Sequence, residues 1–165
     1  MGLLDAIDHV TVAGPTLDAL TEAVAGYGFD PADGGAHSNG VTEMAAVGFP
    51  DGSYLELVSA VDLGATAPLW DGPIREHGGP CGWAVPVDDL DATLATLRDR
   101  GVAVEGPTRL ARERPDGTDL AWSMAFLGPG DPGSHLPFLI SDHTPRADRA
   151  QPGRGCADTG VTGVE

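Results

Sequence analysis

The sequence predicts an α+β fold made of two βαβββ modules, and three observations support this prediction. A set of residues recurs at a constant offset of 73 positions, alternating apolar runs follow each copy, and a Gly/Pro-rich stretch separates the copies. One sheet with a single helix leaves its other face bare, so we expect the two copies to pack over a shared concave surface. At 165 residues the chain is long enough to bury such a core as one compact domain.

Each copy of the repeat begins with a strand followed by a helix. The segment "DHVTVAGPTLDALTEAVAGYGF" aligns with "CGWAVPVDDLDATLATLRDRGV". The matching residues are Val12, Leu17, Asp18, Ala19 and Gly28 in the first copy, and Val85, Leu90, Asp91, Ala92 and Gly101 in the second. Thr16 and Asp89 are suited to cap the helices that follow, and the final glycine of each copy suits a left-handed helix end.

After each helix the pattern changes to the two-residue period of strands. The runs are "VTEMAAVGF" and "SYLELVSA" in the first copy, then "LAWSMAFLG" and "LPFLIS" in the second. We therefore predict a first module over residues 4–62, a linker over 63–79 and a second module over 80–143. Residues 144–165 lack apolar periodicity and are predicted to form an extended or disordered tail, whose abrupt end leaves open that the chain is a piece of a longer protein.

The charge balance restricts the partners. The chain has 25 acidic and 9 basic residues, a net charge of −16, and no lysine. Such a surface repels nucleic-acid phosphates and anionic lipids, so neither nucleic acid nor membrane is expected as a partner. Without a signal peptide or an apolar run of membrane-spanning length, the expected location is cytoplasmic.

The excess of Asp suggests adaptation to salt. Uncompensated like charges repel one another unless they are screened, so we expect a halophilic source with an acidic proteome. A GC-rich genome that favours Asp, Ala, Gly and Arg codons is the alternative. Cys81 and Cys156 show no disulfide or zinc spacing, and phosphate-binding, serine-hydrolase and HExxH motifs are absent from the sequence.

Several segments resemble the vicinal oxygen chelate (VOC) superfamily. "IDHV", "DGSYLELV" and the duplication are similar to the superfamily at large, whereas "GGAHSNGVTEMAAV", "RERPDGTDLAWSMA" and "LPFLISDHTPR" are similar to its glyoxalase-like domain, together over about residues 4–149. The resemblance implies a cupped mixed sheet with helices on its outer face. It also implies a cavity that binds or converts a small oxygen-bearing metabolite.

The resemblance further implies where a metal would bind. Metal-using members place ligands on the first and last strand of each module, and the corresponding residues here are His9 and Glu56. They are the predicted ligands of one divalent ion, Zn, Ni, Fe or Mn. The equivalent second-module positions are Gly82 and Phe138, which offer no donor, so a loop histidine such as His37, His77 or His135 would have to supply one.

Glu56 is the predicted catalytic residue. In an apolar cup the pKa of its carboxyl is expected to rise toward that of a useful general base, although an ion pair with His9 or a solvent-facing position remains an alternative. The predicted substrate-binding residues are His37, Thr42, Trp83, Arg112, Trp122, His135 and Phe138. A guanidinium suits an anionic oxygen, and indole rings suit an apolar wall.

Two function classes remain open. As an enzyme, the protein would be a glyoxalase-type lyase or isomerase, or a dioxygenase relative, acting on a small molecule with the help of a metal. As a binding module, it would be a metal-free sequestering protein of the antibiotic-resistance type. The sequence also leaves open whether the modules pair within one chain or exchange between the chains of a homodimer.

Overall fold

The computed structural model describes residues 6–67, 69–130 and 135–165. The parts of the predicted modules and linker that fall on residues 4–5, 68 and 131–134 lie outside the described residues. In the described part of the chain, no helix is both long and apolar enough to cross a membrane.

The elements follow the predicted order. The first module contains β1 (His9–Ala13), α1 (Leu17–Ala25), β2 (Ala32–Ala36), β3 (Thr42–Gly48) and β4 (Tyr54–Ala60). The second module contains β5 (Gly79–Pro86), α2 (Leu90–Asp99), β6 (Val104–Glu113), β7 (Asp119–Leu127) and β8 (Phe138–Asp142). A one-turn π-helix (Pro73–His77) lies between them, and α3 (Arg146–Ala150) follows. The α+β fold of paired βαβββ modules is therefore confirmed.

The strands form one mixed, curled sheet in the order β2-β3-β4-β1-β5-β8-β7-β6. Each module contains one parallel pair, β1 with β4 and β5 with β8, and the modules join through antiparallel β1 and β5. Thr11 pairs with Glu56 in the first module, and Ala84 pairs with Phe138 in the second. Since Ala84 lies 73 positions after Thr11, Glu56 and Phe138 occupy equivalent positions.

The two outer helices begin at the predicted caps. The side chains of Thr16 and Asp89 accept hydrogen bonds from the backbone N–H groups of Ala19 and Ala92. Their packing differs, because α2 buries Leu90, Thr93, Leu94 and Leu97, whereas no residue of α1 is buried. Gly28 and Gly101, which follow the helices, have positive φ angles of 90° and 80° as their sequence pattern predicts.

The last residues differ from the predicted tail. Arg146–Ala150 forms α3, and the chain beyond it hydrogen-bonds to the first module, with Gly155 O accepting from Asp30 N at 2.8 Å. Cys156 is buried beside Val47 and Phe49 on the outer face of the first module. A few apolar residues separated by polar stretches give no periodic signal, so the sequence pattern missed this packing.

Candidate functional site

A cavity of about 230 Å³ opens on the concave face of the sheet, and most of its surface is apolar. Both modules contribute to it. Its lining residues are His9, His37, Ser38, Asn39, Thr42, Met44, Tyr54, Glu56, Leu69, Trp70, Leu110, Arg112, Trp122, Met124, Phe138, Ile140 and Arg149. The predicted pair His9 and Glu56 lines this cavity, and so do the predicted substrate-binding residues other than Trp83 and His135.

His9 opens β1 and lies at the floor of the cavity, with only 3% of its surface exposed. Its ring stacks on Tyr54 at a centroid distance of 4.6 Å and meets the edge of Phe138 at 5.3 Å. Its Nδ1 lies 2.6 Å from Asp8 Oδ1, and since an ionised carboxylate can only accept, Nδ1 carries the proton. The Nε2 atom is left facing Glu56 Oε2 at 3.6 Å.

Glu56, on β4, is the carboxylate at the centre of the site. Thr11 Oγ1 donates to its Oε2 at 2.9 Å, and His37 Nε2 lies 3.6 Å from its Oε1. Burial acts to raise the pKa of this carboxyl, but the contact with His37, the charges of both imidazoles and the Thr11 hydrogen bond together lower it to about 2. The expectation of a raised pKa is therefore wrong, because the apolar cup contains polar partners aimed at this carboxylate.

His37 comes from the loop between β2 and β3 and lies nearer the cavity mouth, with 19% of its side chain exposed. Its Nδ1 contacts Thr42 Oγ1 at 2.8 Å, and the Asn39 amide group donates to the same oxygen at 3.1 Å. Asn39 also accepts from the Thr42 backbone N–H at 3.1 Å. The loop is thus tied so that Nε2 of His37 turns toward Glu56.

Sequence reasoning missed Asp8 and Arg149 as parts of this site. Arg149, on α3, is 5% exposed, and its guanidinium donates to Asp8 Oδ1 at 2.8 Å and to Asp8 Oδ2 at 3.0 Å. It also donates to Asp142 at 2.6 and 2.7 Å and to the Tyr54 hydroxyl at 2.8 Å. The only hint in the sequence is that Asp8 directly precedes His9; its partner lies 141 positions away in a polar segment.

The electrostatics of Asp8 follow from these partners. Burial alone would raise the pKa of its carboxyl, but the hydrogen bonds from His9 and Arg149 and their charges hold it well below its usual range. Arg146 also donates to Asp8 from the solvent side. Asp8 is therefore an ionised carboxylate beneath the cavity floor.

Arg112 lies on β6 and lines the side of the cavity that the second module forms. It donates to the backbone carbonyl of Gly34 on β2, so it joins the two edge strands of the curled sheet. Partial burial lowers the pKa of this guanidinium. Among the described residues, no carboxylate lies within ion-pair distance of Arg112, in contrast to Arg149.

The second module supplies most of the apolar wall. Trp122 and Phe138 line the cavity as predicted, on neighbouring strands. Trp83 instead packs against Val85 and the apolar face of α2, because the alternation of β5 turns its side chain to the opposite side of the sheet. His135 is exposed before β8 and His77 is exposed at the end of the π-helix, and neither lines the cavity.

The residues present do not match the metal site implied by the resemblance. The second-module positions hold Gly82 and Phe138, which have no donor atom, and Phe138 packs on the His9 ring. Within the described ranges, no group of three His, Cys, Asp or Glu side chains is placed to hold a metal ion. The assignment of a metal to His9 and Glu56 stays a prediction.

Comparison with known proteins agrees with the fold. A family model described as a glyoxalase-like domain matches residues 7–165. A search of curated protein sequences found no match.

Solved structures share the fold. A hypothetical protein from Staphylococcus aureus is similar with a TM-score of 0.71 at 18% identity, over 88% of this chain and 62% of that one. Methylmalonyl-CoA epimerase from Mycobacterium tuberculosis has a TM-score of 0.64 at 24% identity, over 91% of this chain and 95% of that one. A Streptomyces coelicolor methylmalonyl-CoA epimerase variant in complex with 2-nitronate-propionyl-CoA has a TM-score of 0.62 at 28% identity, over 86% and 96%.

The family match spans nearly the whole chain and agrees with the paired βαβββ modules and the shared cavity. The chain therefore belongs to the glyoxalase-like domain family of the VOC superfamily.

Proposed function

We propose that this domain binds a small, largely apolar organic anion in the cavity and transfers a proton on it. The apolar wall of Trp122, Phe138 and Met124 suits the body of such a molecule. Arg112 suits its anionic oxygen for two reasons. Only one hydrogen bond to a protein acceptor, Gly34 O, is found for its guanidinium among the described residues, which leaves further N–H groups for a ligand, and no carboxylate in the same residues pairs with it.

The observation that carries the proton-transfer step is the position of Glu56 between two imidazoles in an otherwise apolar cup. With a pKa of about 2, this carboxylate is ionised at neutral pH and is a weak base by itself. It can instead stabilise the positive charge that His9 or His37 gains when its Nε2 takes a proton, and imidazole is the group most often used for proton transfer in enzymes. A proton taken by His37 can leave to solvent at the cavity mouth.

The likeness to methylmalonyl-CoA epimerases supports chemistry at a carbon next to a carbonyl group. The coenzyme A part is less suited to this chain as a ligand, because it carries phosphate groups. A chain with a net charge of −16 and no lysine disfavours groups that carry several negative charges more strongly than it disfavours a single carboxylate. We therefore propose a free organic acid, with its carbonyl and carboxylate oxygens adjacent, as the class of ligand.

Phenylpyruvate is a suitable probe, because it combines an apolar ring, a carboxylate, an adjacent carbonyl and exchangeable protons on the next carbon. Proton NMR in deuterated water measures both its binding, as line broadening, and the exchange of these protons. We expect broadening and faster exchange with the protein, and weaker broadening with the matched neutral phenylpyruvamide. His37→Gln and Glu56→Gln should slow the exchange, whereas Glu43→Gln, which changes a carboxylate outside the cavity lining, should not.

The same experiment separates the two function classes. Line broadening of phenylpyruvate without faster exchange of its protons would contradict the enzyme hypothesis and favour a sequestering protein. The apolar wall and the low pKa of Glu56 support this alternative. Equal broadening by the acid and the amide would contradict the role of Arg112.

The acidic composition supports a second, independent proposal, that the protein works in a salt-rich cytoplasm. Since 25 acidic residues oppose 9 basic ones, screening should reduce the self-repulsion of the folded state. We expect the unfolding midpoint to be higher in molar KCl than in dilute buffer. A midpoint that does not change would leave codon bias as the explanation.

A further inference from the structure

The two arginines that line the cavity have different hydrogen bonding. Every N–H of the Arg149 guanidinium has a protein acceptor: Nε–H donates to Asp142, one terminal nitrogen donates to Asp8 and Tyr54, and the other donates to Asp8 and Asp142. Only a single acceptor, Gly34 O, is found for Arg112 among the described residues. Arg149 therefore has no donor left for a ligand, although it lies at the cavity.

The acceptors of Arg149 lead directly to the reactive end of the cavity. Asp8 accepts from Arg149 through both of its oxygens and from His9 Nδ1 at 2.6 Å. Tyr54 accepts from Arg149 through its hydroxyl and stacks on the His9 ring. The imidazole is thus held in its plane by Tyr54 and at its Nδ1 edge by Asp8, and both of these residues are fixed by the same guanidinium.

We infer that Arg149 is a positioning residue for His9, and that the C-terminal helix is therefore a working part of the cavity in addition to the two modules. This inference rests on the proposed function only where it concerns proton transfer, since the orientation of His9 can be measured without a ligand. Arg149 acts through Asp8 and Tyr54, and it fixes which ring nitrogen of His9 faces Glu56.

The packing of α3 is consistent with this role. The helix has only five residues, too few to be stable alone, and its contacts hold it in place. Arg149 and Ala150 are its buried residues, and Arg149 joins α3 to β4 and β8 through Tyr54 and Asp142, and to the start of β1 through Asp8. A purely structural salt bridge would not need to converge on the two side chains that touch His9.

The test uses the full chain labelled with nitrogen-15 in its histidine rings, with NMR correlations that report the protonated nitrogen and the environment of each ring. In Arg149→Met we expect the His9 ring signals to move, while those of the exposed His77 and His135 stay in place. In Arg149→Ala, added guanidinium ion should return the His9 signals toward the wild-type positions, because it can occupy the space left by the side chain. Arg154→Gln, an exposed change in the same C-terminal segment, is the matched control and should move none of them.

Asp142→Asn serves where Arg149→Met fails to fold. It removes the charge of one partner of Arg149 while keeping Asp8 and the arginine, so it should shift the His9 signals less than Arg149→Met but more than Arg154→Gln. Unchanged His9 ring signals in a folded Arg149→Met, or in Asp142→Asn, would overturn the inference. Shifted His9 signals without any exchange of phenylpyruvate would uphold the positioning role and overturn the proposed function instead.

Discussion

The two modules present opposite chemistry to one cavity. At equivalent positions, the first module holds the carboxylate of Glu56 and the second holds the phenyl ring of Phe138. The first also supplies the cavity histidines His9 and His37, whereas the second supplies the apolar wall and the cation Arg112. The repeated backbone shows that a duplicated scaffold can keep its strand pairing while one copy carries most of the polar side chains of the cavity and the other most of its apolar wall.

The largest effect on the free energy of unfolding should follow from breaking the buried ion pair between Asp8 and Arg149. Asp8→Asn removes one of the two carboxylates that bind the buried Arg149 and leaves Asp142 as the other, so the loss should approach the lower end of the about 3–5 kcal/mol that breaking a buried ion pair costs. Urea unfolding monitored by circular dichroism measures this loss. Asp158→Asn, at an exposed position of the same C-terminal segment, should change the free energy by less than about 0.5 kcal/mol. Equal losses in the two variants would contradict the special role of the Asp8 pair.

The second prediction concerns the acid sensitivity of the first module. The folded-state pKa of Glu56 is about 2, below its usual value of 4.5, so its contribution to stability is present above about pH 4.5 and is lost as the pH falls toward 2. The loss should be about 3 kcal/mol by pH 2, because a tenfold difference in the acid dissociation constant between the folded and unfolded states corresponds to about 1.4 kcal/mol. Unfolding free energies from urea titrations at a series of pH values across this range measure it.

Two variants separate Glu56 from the rest of the acidic surface. Glu56→Gln cannot lose a charge at this site, so its stability should fall less steeply below pH 4.5 than that of the wild type. Glu43→Gln should keep the wild-type slope. A Glu56→Gln curve parallel to the wild type would show that other carboxylates, Asp8 among them, account for the acid sensitivity.

The third prediction tests the cation of the second module. Arg112→Gln should weaken phenylpyruvate binding by about 10- to 100-fold, because a hydrogen bond to a charged group is worth about 1.5–3 kcal/mol. Binding of phenylpyruvamide should change far less. Arg109→Gln, an exposed change on the same strand, is the control, and calorimetric titration measures the affinities of both ligands for each variant. Similar losses for the acid and the amide would mean that Arg112 only joins the edge strands.

The fourth prediction compares the two faces of the second-module sheet. Trp122→Phe removes part of the cavity wall and should weaken phenylpyruvate binding by about 0.5–1.5 kcal/mol. Trp83→Phe changes the helix-facing side of the sheet and should leave the affinity unchanged while lowering stability modestly. A loss of affinity in Trp83→Phe would indicate that Trp83 contacts the ligand, and it would contradict the assignment of Trp83 to the helix-facing side of the sheet.

Local signals in the sequence were enough to predict the modules, because helix caps, turns and strand periods each depend on neighbouring residues, and the 73-residue repeat doubles them. The side of the sheet that Trp83 faces could have been predicted, because Trp83 follows Gly82, the position equivalent to His9, and neighbouring strand residues face opposite sides. Arg149 could not be found, because its partner Asp8 is brought to it by the completed fold and by no local pattern.

The smallest expected effect is that of added Zn²⁺, and it tests the symmetry of the two modules directly. If His9 and Glu56 are ligands, the fold gives them no partner across the sheet, because Gly82 and Phe138 have no donor atom. An ion present near its Kd adds only about 0.4 kcal/mol, or about 1 °C in Tm, and we expect no more than this from thermal unfolding with and without Zn²⁺. His9→Ala should remove even this increment. Protein purified without chelator could instead contain stoichiometric metal that is lost in both His9→Ala and Glu56→Gln. That result would show that the first module, with the help of His37, forms a metal site on its own. The chemical difference between the two halves of the cavity would then be greater than the hydrogen bonds alone imply.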